Sequence, residues 1–287
     1  MIHNRTSSYC SLDVLKDPGN LSDMANVQKY DSMLLSWAET ASDFIDGFCK
    51  RHFYTWEGTK YFNGSGNTLL LPQDILSISA MSLDENGSGQ YATPVSVTPP
   101  LDIVLNPTYS YPKTYIKLSL NSRVSSFANS IPNSVSITGV WGYGNGLTPT
   151  PYTTSGDSVE DNPLTSSALK VTVTQGANFG AGMTLRIGTE QMYVTSTYGN
   201  SLTVIRGVNG TVAAQYAQGA AINVCQYNQA VVAACMTQCL IWWKRRESAY
   251  AMKTGNTNTG EYEIYKGLDD TIKTLLTTGN LVRKIGI

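Results

Sequence analysis

Cys235 and Cys239 stand one helical turn apart in VVAACMTQCLIWWKRR, the first pair in this chain whose type and spacing suggest chemistry. Two thiols on one helix face can grip a soft cation, but a closed site needs further ligands, and the only histidines are His3 and His52. Five cysteines, an odd number without a CxxC, read instead as buried, reduced thiols. Asp157, Glu160 and Asp161 offer carboxylates without the alternating spacing of a calcium loop. The glycines of WGYGNGLTP are followed by Pro149 and Pro151 rather than by a helix, so they mark a strand exit and not a phosphate cradle. His52 follows Lys50 and Arg51 at a helix end, where positive charge suits the dipole. With no paired carboxylates beside a pocket-like motif, the expectation is a protein without catalytic residues, cofactor or metal.

Trp243, Lys244, Arg245 and Arg246 admit three readings. Trp243 can be a core residue followed by a solvated basic turn. The group can equally be an anchor at a protein interface, where Trp and Arg are enriched, or a contact to DNA phosphates. The terminal NLVRKIGI supplies a second candidate: Leu281, Val282, Arg283, Lys284 and Ile285 form a basic, apolar tail with no evident use inside the fold.

Charged residues are 14% of the 287, against roughly 25% in typical soluble proteins, and the net charge is −1. Little self-repulsion keeps copies apart, which favours association. Residues 1–151 carry net −3 and residues 226–287 net +3, so the two ends can attract one another within or between subunits. The start MIHNRTSSYCSLD lacks an apolar targeting core, and no run reaches the length of a membrane span; the expected setting is the cytoplasm.

The elements that must position these residues follow from periodicity. Ser11 caps a short helix over 11–17 that stops before Pro18. Tyr30, Met33, Leu34, Trp37, Ala38, Ala41, Phe44, Ile45, Phe48 and Cys49 trace one buried stripe, predicting a helix over 26–51 of about seven turns. Residues 61–143 alternate in short β-branched runs between Asn-Gly, Gly-Ser-Gly and Asn-Pro turns, predicting an antiparallel meander. YTTSGDSVEDNP reads as a linker, and five strands after it can close into a small barrel or sandwich. Helical period returns over 226–253, KTGNTNTGEYE is expected to be flexible, and a last helix over 262–278 ends at Gly279. The fold class is α+β: a core of residues 1–151 and 225–287, in which the two long helices pack together, with an all-β domain inserted at 152–224.

The order of a long helix ending FIDGFCKRHF, the strands of LLLPQDILSISAMSLDENG, a strand VSITGVWGYG and closing helices resembles the head-tail connector, or adaptor, proteins of tailed bacteriophages. The motifs are an aromatic helix end leading into L-x-L-P and I-x-S-I strands, and a G-x-x-G-Y exit before the final helices. They cover roughly residues 8–146 and 226–255. FGAGMTLRIGTEQMYVTSTYGNSLTVIRGVNGT is similar to small β modules of phage virion proteins, and its position between the last core strand and the penultimate helix departs from the compact family pattern.

The resemblance implies a structural virion protein at the head-tail interface, assembled in the host cytoplasm. It would be one subunit of a homo-oligomeric ring of about twelve copies with a heterologous interface. Its partners would be the portal protein, a downstream neck or tail protein and, in passing, genomic DNA; no membrane is implied. The family pattern assigns no role to the inserted module; because an insertion costs little in loop closure, it is expected on the ring periphery, and residues 281–285, otherwise without use, are expected to dock on the portal. The alternative is a tail- or fibre-associated binding module whose β insert recognises a surface ligand.

Overall fold

The computed structural model describes residues 7–21, 24, 27–128, 131–247, 253–256, 261–264 and 267–283. The fold class is α+β. The chain divides into two compact units, residues 52–151 and the combination of residues 1–51 with 152–287.

The unit of residues 52–151 is built from two antiparallel sheets. β1 (Trp56–Phe62), β3 (Ile75–Leu83), β4 (Thr93–Val95) and β7 (Val135–Trp141) form the larger one, in the order β1-β7-β3-β4. β2 (Leu69–Leu70), β5 (Ile103–Asn106) and β6 (Tyr115–Leu118) form the smaller, in the order β2-β6-β5. Both contribute to one core, with Leu70, Ile103, Ile116 and Leu118 joining Met81, Val135, Ile137 and Trp141.

The predicted meander is corrected here, because β7, last in sequence, lies between β1 and β3. Its alternating burial places Val135, Ile137, Gly139 and Trp141 inward, and such a strand is best satisfied when both edges are paired. Gly139 makes that position accessible: a Cβ there would sit 2.1 Å from the Ser77 carbonyl oxygen. The Trp141 indole N–H donates to the Gly58 carbonyl at 2.9 Å, on the opposite neighbour.

Loops in this unit close on single side chains. Asp102 accepts from the backbone N–H of Ser96 (2.8 Å) and of Arg123 (3.0 Å). Lys113 is buried with its ammonium donating to the carbonyls of Pro107, Thr108 and Ser110.

The other unit begins with α1 (Leu12–Leu15), capped by Ser11 as expected, and α2 (Pro18–Leu21). α3 (Asp31–Cys49) is shorter than the predicted 26–51, starting after a turn at Lys29-Tyr30. It packs against α4 (Gln229–Glu247), predicted as 226–253. The pair runs antiparallel, with Tyr30 beside Trp243 and Ser42 beside Cys235. Leu34, Ala38, Ala41, Ile45 and Cys49 are buried on α3, but Phe44 is exposed, correcting its place in the predicted stripe. α5 (Asp270–Thr278) replaces the predicted 262–278, because Asp269 caps it by accepting from the Thr271 N–H. The segment expected to be flexible carries a hairpin of β14 (Lys253–Asn256) and β15 (Glu261–Ile264).

Six strands lie between α3 and α4 in this unit: β8 (Tyr152–Ser158), β9 (Lys170–Thr172), β10 (Thr184–Ile187), β11 (Glu190–Tyr198), β12 (Ser201–Ile205) and β13 (Ala221–Cys225). The sheet order is β8-β13-β10-β11-β12-β9. Its two edges meet where Val159 bridges Val173 and the Glu160 N–H donates to the Thr172 carbonyl at 2.9 Å, so the sheet closes as a small barrel. β8 falls where a linker was expected. Its Ser, Thr and Gly side chains bury little, yet its backbone pairs with β13 and Asp157 closes the adjacent turn through the N–H groups of Ser158, Thr174 and Gln175.

Sequence reading joined residues 61–143 to the helices and set 152–224 apart, whereas the barrel shares a unit with the helices. The amino-terminal segment is the reason. Ser8 Oγ donates to the Gly182 carbonyl, the Leu12 N–H to the Ala181 carbonyl, and Ser7 Oγ to Asn209, while Tyr9 reaches α3 through its hydroxyl to Asp46 at 2.6 Å. Gly182 has φ +92, and a Cβ on it would meet Ser11 Cα at 2.8 Å. Only a bare backbone lets the barrel approach this closely.

Candidate interaction surface

The residues at the Tyr30 end of the α3–α4 pair form a ladder of rings. Trp243 is 8% exposed and meets Tyr30 edge-on at 5.3 Å between centroids and Trp37 at 6.5 Å. Trp242, one residue back, meets Trp37 at 6.3 Å and Phe44 at 6.1 Å. Helical geometry explains the division: adjacent residues point about 100° apart, so Trp243 fills the groove between helices while Trp242 lies on its rim. Phe44 at the end of the ladder is 43% exposed.

Cations cover the other end. The Arg246 guanidinium sits 4.0 Å from the Trp243 ring centre and 4.5 Å from that of Tyr30, and the Lys29 ammonium lies 5.4 Å over Tyr30. The hydrogen bond from Arg246, reinforced by the charge of Lys29, holds the Tyr30 hydroxyl below its ordinary pKa. Lys244 is exposed, and Arg245 is half-buried. Of the four residues singled out in the sequence, Trp243 is core, Lys244 faces solvent and Arg246 is a stacked cation. Tyr30, Lys29 and Phe44 complete the surface; no local spacing ties them to Trp242 and Trp243, since they come from α3 and the turn before it, about 200 residues away.

The carboxyl-terminal tail is placed differently from expectation. Leu281 is 1% exposed and its N–H donates to the Leu276 carbonyl; the Arg283 N–H donates to the Cys49 carbonyl at the end of α3. Leu281 is therefore structural, and the view of this segment as without a use in the fold is corrected up to Arg283. Val282 and Arg283 are half-buried, and Lys284 and Ile285 lie outside the described residues.

Other candidates resolve into packing. Asp157, Glu160 and Asp161 are occupied by turn N–H, hydroxyl and amide groups, the last pair through Thr174, Gln218 and Thr172. In WGYGNG the N–H groups of Gly142 and Tyr143 donate to Asp74 and His52 carbonyls, so the loop is closed on its own unit. The His52 ring stacks on Tyr54 at 4.9 Å. Cys235 and Cys239 are buried as expected, but Cys10 joins them, its sulphur 3.2 Å from that of Cys235.

Among the described residues no helix is long and apolar enough to cross a membrane. The chain matches no protein-family model, no curated protein and no solved structure.

Proposed function

We propose that this chain is a structural virion protein of a tailed bacteriophage, one subunit of a ring adaptor between portal and tail. The observation that carries the reading is the ring ladder of α3 and α4, a half-exposed aromatic ridge from Trp37 through Trp242 to Phe44, bordered by Arg246 and Lys29. Aromatic and Arg residues clustered at a rim are the composition of protein interfaces. The sequence motifs of the adaptor family and the low charge density support the same reading. Each ridge would contact a different face of the next copy, as a closed ring requires. Exposed apolar residues at loop tips, Tyr109, Leu120 and Leu147, supply candidates for that opposing face.

In this reading the carboxyl-terminal segment of residues 281–285 docks on the portal, from a base at Leu281 and Arg283 that the fold holds in place. Native mass spectrometry and electron microscopy of the purified chain, alone and with a portal oligomer, test the proposal. Rings, or capture by the portal, are expected; a chain that stays monomeric at high concentration and ignores the portal contradicts it. Truncation after Arg283 should keep the fold and lose portal capture.

A further inference from the structure

Three thiols from distant parts of the chain meet in the core of the helical unit. Cys10 comes from the segment before α1, and Cys235 and Cys239 from one face of α4; all three are buried, and their sulphurs lie within 4.8 Å of one another. Sulphurs around one tetrahedral zinc, at about 2.3 Å from the metal, stand about 3.8 Å apart, so the cluster needs only small side-chain shifts to enclose a cation. We propose that Cys10, Cys235 and Cys239 bind one thiophilic d10 cation, Zn2+ or Cu+, which fastens the amino-terminal segment to α4.

Chemistry favours a cation over a disulfide at this place. A disulfide joins two sulphurs and leaves the third buried and idle, while a cation uses all three. Soft thiolate donors select Cu+ and Zn2+. Two oxygens, Ser42 Oγ and the Ala38 carbonyl, are each 3.4 Å from Cys235 Sγ, and the Ser42 hydroxyl already donates to Ala38 and accepts from the Tyr9 N–H. The site is therefore sulphur-based, with oxygen at its margin.

Charge balance sets the proton count. A buried site favours a complex without net charge, because an unpaired charge is costly to bury. Zn2+ entering as the neutral complex displaces two protons and leaves one thiol protonated; Cu+ displaces one. Binding that displaces two protons weakens by about 100-fold for each unit that the pH falls, and binding that displaces one by about 10-fold.

The position gives the cation a structural consequence. The segment it would fasten is the one that bonds to the barrel through Ser7, Ser8 and Leu12 and to α3 through Tyr9. Loading the site would tie helices and barrel into one cooperative body.

The test uses the full chain, stripped with a chelator and held anaerobically in a non-thiol reductant, and titrated with Zn2+ alone or Cu+ alone. Expected results are one ion per chain by native mass spectrometry, a rise in melting temperature of about 5 °C with at least one cation, and the stated pH slope for that cation. Cys10→Ser should lose both the stoichiometry and the thermal shift, and Cys225→Ser should keep them. Should Cys10→Ser not fold, Cys239→Ala takes its place. Failure of the wild-type chain to bind either ion one-to-one, or retention of binding in a folded Cys10→Ser or Cys239→Ala chain, overturns the proposal.

Discussion

Single side chains hold the two units by different means. In the barrel, Glu190 is fully buried and grips Arg206 through both oxygens, at 2.6 Å to Nε and 2.8 Å to Nη2, while accepting from the N–H groups of Gly207 and Ala214. Arg206→Ala leaves a buried carboxylate without its cation and should cost about 3–5 kcal/mol in denaturant unfolding. The double change Glu190→Leu with Arg206→Met should recover much of that; an equal loss in both variants would contradict the account. In the other unit, N–H donation from Ser96 and then Arg123 holds the Asp102 carboxyl below its ordinary pKa of 3.8. A depressed carboxylate contributes stability above its unfolded pKa and loses it as pH falls through the lower folded value. Unfolding curves between about pH 5 and about pH 2 should therefore show Asp102→Asn less stable at the upper end and less acid-sensitive than wild type; identical acid sensitivity would rule this out.

At the scale of elements, the decisive piece of the larger sheet is β7. Its central place depends on close approach at Gly139, where Ala would drive a Cβ to within 2.1 Å of the Ser77 carbonyl. Gly139→Ala should cost about 1–3 kcal/mol by thermal or denaturant unfolding, through backbone displacement of β3. A change under a few tenths of a kcal/mol would mean that β3 yields freely. The segment of residues 7–15 acts as the corresponding piece of the helical unit, since it donates to barrel carbonyls and packs Leu12 and Leu15 in the core. Deleting the barrel therefore strips partners from Ser8 and Leu12 and cannot leave the helical unit untouched. Substitution at the exposed Tyr198 and Val212 is the cleaner probe of what the barrel contacts.

For the whole molecule, the proposal of a ring rests on surface that the fold leaves uncovered. Phe44→Glu places a charge at the open end of the aromatic ladder while Ala41 and Ile45 keep α3 seated. If the ridge is the subunit interface, this variant should keep its melting temperature within about 2 °C and shift native mass spectra toward monomer by 10-fold or more in association constant. Unchanged assembly would move the interface elsewhere.

Periodicity within a few residues was enough to place β3 over ILSISAMSL, the strands from β9 to β13, the buried stripes of α3 and α4, the Ser11 cap and the stop at Gly279. Those features depend on neighbours one or two turns away, and the sequence carries them openly. Tertiary structure alone decided that β7 enters between β1 and β3, that polar β8 is a strand, that Phe44 is exposed, that Leu281 is core, and that Cys10 meets Cys235. Each is a choice of partner across many residues, made by which surfaces bury most area and satisfy most backbone groups together, and no local spacing encodes that sum.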